Sequence, residues 1–313
     1  MTEQQKDKIK GLFFGQAIGD ALGLGTEFLN KKQVKVYYPN KLTNYSQIIK
    51  DSFRKQWKQG EWTDDTDQFI CIVNSLLKAK EVDEHAFAKE LYAWAEKSPV
   101  DIGVTVNKVV SHPDFLNNPY KCSKEIWEES LREAAANGAI MRTSILGAYE
   151  FWDYGKVILN TEKIAKVTHW DPRCIGSCVI TTLIIANLIN ENRTLSLKEI
   201  VDIGDEYDNR IIYHIEQSTE RDISNLYLDE EGIIGYTLLS LSAGLWAYFH
   251  AKDFETGLVS VINEGGDADT NGCIAGSILG TKFGYNSIPK HLVDGLHDKE
   301  LLEEKFNQFI KTY

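Results

Sequence analysis

The chain has 313 residues, 34 Lys and Arg against 46 Asp and Glu, a formal charge of −12, and 43% hydrophobic residues. That is a globular composition with apolar content for one large core or two ordinary ones. Its sign excludes a general nucleic-acid or anionic-membrane binder, because the long-range field repels phosphate polymers.

The first ten residues are charged and lack the apolar run of a secretory signal. No window reaches the roughly 18 unbroken apolar residues of a membrane span, so a cytoplasmic protein is expected. Six prolines, well under the average of about 5%, leave long stretches free of helix breakers. Gly11, Gly15, Gly19 and Gly23 recur every fourth residue. Each costs a helix about 1 kcal/mol relative to Ala, so a row on one face predicts close approach by another backbone, or else a stretch that is partly loop. Residues 33–38 are the best, though weak, strand candidate. Residues 41–60 read as a long polar loop.

From 68 to 80, Phe69, Ile72, Val73, Leu76 and Leu77 form one apolar helical stripe. The same periodicity predicts helices over 86–95, 124–136, 143–151, 172–190, 197–213, 236–250, 254–262 and 301–310. Residues 111–123 and 217–232 read as loops. Gly272, Gly276, Gly280 and Gly284 repeat the four-residue spacing. Cys71, Cys122, Cys174, Cys178 and Cys273 are too few and too irregular for a disulfide framework. Cys174 and Cys178 read as neighbours on one helical face, and all five as buried free thiols. No linker or repeat divides the chain, so residues 1–313 are read as one all-α domain.

Two runs crowd acids and hydroxyls where a helix should begin: Trp62-Thr63-Asp64-Asp65-Thr66-Asp67, and Gly265-Gly266-Asp267-Ala268-Asp269-Thr270-Asn271-Gly272. A helix N-terminus accounts for one such residue as a cap but poorly for three acids. Packed carboxylates repel unless protons or cations neutralise them. A hard divalent cation takes oxygen ligands from Asp, Glu and Thr, which points to Mg²⁺ or Mn²⁺ ahead of zinc. Asp20 and Glu27 stand in a segment otherwise almost without charge. Asp20 is either paired internally or held for chemistry, and Glu27 is free to reach a shared site.

These runs, with Gly11-Leu12-Phe13-Phe14-Gly15-Gln16-Ala17-Ile18-Gly19-Asp20-Ala21-Leu22-Gly23, resemble the ADP-ribosylglycohydrolases over nearly the whole chain. The resemblance implies a single-domain orthogonal helical bundle with a binuclear metal cleft that holds ADP-ribose. It implies one ion on Thr63, Asp64, Asp65 and Asp269 and a second on Glu27, Asp267, Asp269 and Thr270, with Asp269 bridging.

Asp101-Ile102-Gly103-Val104-Thr105 resembles the family's loop near the scissile ribose, and Asn137-Gly138-Ala139-Ile140-Met141-Arg142 its phosphate and distal-ribose loop. Thr168-His169-Trp170-Asp171-Pro172 is similar to a motif before a long helix, where Asp171 and Pro172 also read as cap and first-turn proline. The implied substrate contacts are Asp101, Gly103, Asn137, Gly138, Met141 and His169. Arg142 reads as either a phosphate contact or a structural partner, with the balance toward structure. No Ser-His-Asp arrangement or Walker-type loop is evident.

The implied reaction releases ADP-ribose from a modified acceptor, foremost arginine on protein, with Glu27, Asp101 and Asp267 as catalytic groups. Serine, O-acetyl, nucleobase and other small-molecule conjugates remain open, as do a nucleotide pyrophosphohydrolase and a non-enzymatic ADP-ribose-binding or crystallin-like protein. A monomer with no membrane partner is expected.

Overall fold

The computed structural model describes residues 1–313. Fifteen α-helices account for the regular structure. They are α1 (Glu3–Gly23), α2 (Lys31–Tyr37), α3 (Asp64–Ala79), α4 (Glu84–Ala95), α5 (Val104–Val110), α6 (Pro119–Glu129), α7 (Tyr154–Ala165), α8 (Pro172–Asn190), α9 (Leu197–Asp205), α10 (Arg210–Gln217), α11 (Thr237–His250), α12 (Phe254–Ile262), α13 (Ala268–Phe283), α14 (Lys290–Asp294) and α15 (Lys299–Ile310). The only β pairing is an isolated bridge between Ala136 and Tyr236.

The centre of the molecule is α1 lying against α13, and the glycine rows are the reason. A Cβ at Gly15 would stand 2.1 Å from the carbonyl oxygen of Gly276, and one at Gly19 would stand 1.9 Å from that of Gly272. Gly11 meets Gly280 in the same way, and Gly23 meets Ala268. Any side chain at these positions would separate the helices. Close helix packing is therefore the correct alternative for both rows, with one exception. Gly284 leaves the helix at φ +83° and terminates α13.

Around this pair, α8, α11 and α12 pack on α13, and α3 and α15 close the other side through edge-to-face contacts of Phe13 with Phe69 and Phe306 respectively. The α8 segment has a mean hydropathy of 1.6, long and apolar enough to cross a membrane, yet 94% of it is buried within the fold. It is a core helix. All five cysteines are free and buried, as expected.

Several expectations need correction. Residues 33–38 are not a strand: Asn30 and Gln33 form a reciprocal capping box that starts α2, and only Val34 on that helix is buried. The helix expected over 124–136 begins earlier, at Pro119 in its first turn, and ends at Glu129, because Leu131 and Arg132 take left-handed φ values of +59° and +64°. Residues 143–151 form a short 3₁₀ turn, Thr143–Gly147, followed by turns. The 197–213 segment divides into α9 and α10, with Asp208 accepting the amide of Arg210 at 2.9 Å across the break.

Candidate active site

A cleft of about 350 Å³ opens where α1, α3 and α13 meet the loops before α5 and α8. It is lined by Glu27, Asp64, Asp65, Asp101, Gly103, Asn137, Gly138, Met141, His169, Asp267, Asp269 and Thr270. Of the predicted site residues only Thr63 lies outside this lining, directly behind it. A larger cavity of about 690 Å³ shares Ile102 with the cleft, but no acid cluster converges on it.

Asp20 organises the floor. It is fully buried near the end of α1 and accepts from Thr63 N at 2.8 Å and Thr63 Oγ1 at 2.9 Å on one oxygen. Its other oxygen accepts from Thr66 N at 2.9 Å and Thr66 Oγ1 at 2.6 Å. Thr63 makes no capping bond to its own helix, so a carboxylate from a different helix satisfies the first amides of α3. Burial raises the Asp20 pKa to about 6, and these four donors oppose that rise. Of the two alternatives for Asp20, the internal pairing is what the structure contains.

Asp64 and Asp65 are thereby fixed facing the cleft. Asp67 is turned away, one oxygen taking Trp62 Nε1 and the other Trp94 Nε1, each at 2.9 Å. The second acid run enters through Gly265 and Gly266, whose φ values are +76° and +70°. Side chains there would also collide with the carbonyls of Leu29 and Leu228. The tight turn delivers Asp267 and Asp269 to the cleft at the start of α13.

Carboxylate oxygens of Glu27, Asp267 and Asp269 lie within 4.8 Å of one another. Thr63 Oγ1 is 3.3 Å from Asp269 Oδ2 and 3.4 Å from Asp65 Oδ2, so Asp269 stands between the two runs. Glu27 Oε2 and Asp65 Oδ1 are buried without a hydrogen-bond partner. Burial, followed by the neighbouring aspartates, holds the Glu27, Asp64, Asp65 and Asp269 carboxyls well above the usual carboxylate range. Crowded oxygens with uncommitted lone pairs and no cationic side chain among them are what a hard divalent cation requires. The residues fit such an ion.

The opposite wall is built by the 136–142 turn. Asn137 Nδ2 donates to Asp267 Oδ2 at 2.7 Å and to Ser240 Oγ at 2.9 Å, and its amide is held by Gly235 O at 3.0 Å. Gly138 lies against the His169 ring, where a Cβ would come within 2.9 Å of Cε1. Asp101 sits partly exposed at the rim, bonded to the amide of Ile102 at 2.7 Å. Its charge helps raise the pKa of Glu27, Asp64 and Asp267. Arg142 is fully buried behind the wall and does not line the cleft, in agreement with its structural reading.

Two contributors carry no signal in the sequence. Arg54, in the segment that reads only as loop, is 2% exposed and bonds through Nε to Leu24 O at 2.9 Å and Gly25 O at 3.0 Å. Its Nη2 also donates to Glu27 O, so it fixes the turn that carries Glu27. Phe28, left-handed at φ +58° and 56% exposed, forms part of the cleft mouth and packs on Phe53. Each role depends on a remote partner, which local patterning does not reveal.

Known proteins of one family share this sequence pattern and this fold. Residues 1–312 match the family model described as ADP-ribosylglycohydrolase. The chain is 27% identical over 316 residues to the ADP-ribosylarginine hydrolase Tri1 of Serratia proteamaculans, covering 96% of this chain and 78% of that protein. It is 26% identical over 289 residues to the ADP-ribosyl-[dinitrogen reductase] glycohydrolase of Rhodospirillum rubrum, covering 90% and 88%. The solved structure of an ADP-ribosylglycohydrolase-related protein complex superposes with a TM-score of 0.78 at 23% identity over 99% of both chains, which supports the all-α fold. With all but the last residue inside the family match, the chain belongs to the ADP-ribosylglycohydrolases, hydrolases of glycosidic bonds.

Proposed function

We propose that this hydrolase removes ADP-ribose from arginine side chains of modified proteins and that it works with two divalent cations, Mg²⁺ or Mn²⁺. The observation that carries the reading is the convergence of Glu27, Asp267 and Asp269 oxygens within 4.8 Å at the cleft floor, with Glu27 Oε2 and Asp65 Oδ1 left buried and unpartnered, facing the Asp101–Thr105 loop at the rim. The arginine relative Tri1 supports the choice of acceptor.

Bound cations would supply positive charge that polarises the ribose hydroxyls and an attacking water. They would be held by Thr63, Asp64, Asp65 and Asp269 on one side and by Glu27, Asp267, Asp269 and Thr270 on the other. In the reaction the water oxygen bonds to C1″ of the ribose, the C1″–N bond breaks, and a proton passes to the departing guanidine nitrogen. Glu27 lines the cleft with one oxygen free of protein partners, and it would accept the water proton once bound cations offset the burial and neighbouring aspartates that raise its pKa. Asp267, held by Asn137, is fixed to balance the positive charge that develops on the ribose. Asp101, at the rim, is placed to meet the guanidinium.

The test is a panel of ADP-ribosylated peptides that differ only in acceptor, assayed with Mg²⁺, with Mn²⁺ and with EDTA. Arginine-linked peptide should release ADP-ribose only with the cation, and Asp269→Ala should abolish release. Turnover confined to serine-linked peptide would remove the arginine assignment, and full activity in EDTA would remove the cations.

A further inference from the structure

One unbroken series of hydrogen bonds passes behind the cleft and joins its two walls. Gln68 Nε2 donates to Asp64 Oδ2 at 2.7 Å, and Gln68 Oε1 accepts from Arg142 Nη1 at 2.5 Å. Arg142 Nη2 donates to Thr168 Oγ1 at 2.5 Å, and that hydroxyl lies 2.8 Å from His169 Nδ1. Every member is buried.

The polarity of this series follows from its middle. A guanidinium only donates, so the Gln68 amide must turn its oxygen toward Arg142 and its nitrogen toward Asp64. Thr168 Oγ1 likewise accepts from Arg142, and its single proton then has one acceptor within reach, His169 Nδ1. A proton on Nδ1 would leave the Thr168 hydroxyl proton buried and unpaired, which is the costlier arrangement. The imidazole proton therefore belongs on Nε2. That atom is buried, has no partner, and belongs to a ring that lines the cleft beside Gly138.

We propose that Arg142 and Thr168 are positioning residues that lock His169 as the neutral Nε2–H tautomer, making it a fixed hydrogen-bond donor to an anionic oxygen of the ligand and neither a base nor a cation ligand. The identity of that oxygen, on the diphosphate of ADP-ribose, rests on the reading given under Proposed function. The tautomer does not. Burial, reinforced by the nearby Arg142 charge, pushes the His169 pKa down to about 3, consistent with a ring that stays neutral.

The experiment is long-range ¹H–¹⁵N correlation on protein labelled at histidine nitrogen, with His169 assigned from the resonance lost in His169→Gln. Wild type should show Nε2 protonated and Nδ1 bare at neutral pH. Thr168→Ser should keep that pattern and bind ADP-ribose within about twofold of wild type by calorimetry. Thr168→Val should give a mixed or reversed tautomer and bind at least about tenfold more weakly, the range typical for loss of an orienting partner. A wild-type spectrum with Nδ1 protonated, or a Val variant with the tautomer unchanged, overturns the proposal. The wild-type spectrum alone decides this if the Val variant does not fold. A locked Nε2–H ring in a protein that binds no ADP-ribose would sustain the relay and overturn the ADP-ribose reading.

Discussion

At the level of single residues, the floor of the cleft depends on groups that touch no substrate. Asp20→Asn keeps the shape but presents an amide NH₂ to two of the four donors that now converge there. The expected cost is about 3 kcal/mol in urea unfolding, because buried donors lose a charged acceptor. Affinity for a divalent cation, read by calorimetry, should fall by roughly 10–100-fold, as for other residues that support ligands from behind. The acids themselves are legible in the sequence, because like charges crowded at two helix entrances demand an explanation in any fold. Their supports are not. Arg54, Gln68 and Thr168 are ordinary polar residues in sequence, and each acquires its role from a partner distant in the chain, Glu27 for Arg54 and Arg142 for the other two.

At the level of helices, the glycine rows make a sharp prediction with an internal control. Gly15→Ala improves local helix propensity by about 1 kcal/mol, yet its methyl group would occupy the space of the Gly276 carbonyl. A net loss of about 2 kcal/mol or more in denaturant unfolding is expected, since neither backbone can yield without displacing the other. Gly155→Ala, in the first turn of α7 with its nearest neighbour at 3.4 Å, should be neutral or stabilising by up to about 1 kcal/mol. Helix existence is readable wherever the apolar stripe is long, as in α3, α8, α11 and α12; the boundaries agree within a residue for α8, α11 and α12, whereas α3 begins at Asp64, four residues ahead of the 68–80 stripe, because its first turn is polar. Periodicity fails where local backbone chemistry overrides it. It carries no notice of left-handed residues such as Leu131 and Arg132, and the alternation around Val34 and Val36 masks the Asn30–Gln33 capping box.

At the level of the whole molecule, the acid cluster links stability to solution conditions. Millimolar Mg²⁺ or Mn²⁺ should raise the melting temperature by a few degrees, since a cation at about 100 times its Kd contributes about 2.7 kcal/mol. EDTA should reverse the rise, and Asp269→Ala should lack it. Acid should act away from the cleft as well. His214, on α10 between the rings of Tyr213 and Tyr236, has its pKa pushed by burial from 6.5 down to about 4. Protonation then favours the unfolded chain, so its contribution is complete above pH 6.5 and is lost as pH falls toward 4. His214→Gln should flatten that part of a pH–stability curve measured by thermal melts. The pairing of α1 with α13 also sets the order of events in synthesis. The first half of the cluster leaves the ribosome with Asp20 and Glu27, but its counterpart follows only with Asp267 and Asp269. A nascent polypeptide must therefore carry an unfinished set of acids through most of translation, and a product that stops before Asp267 lacks half of the cluster.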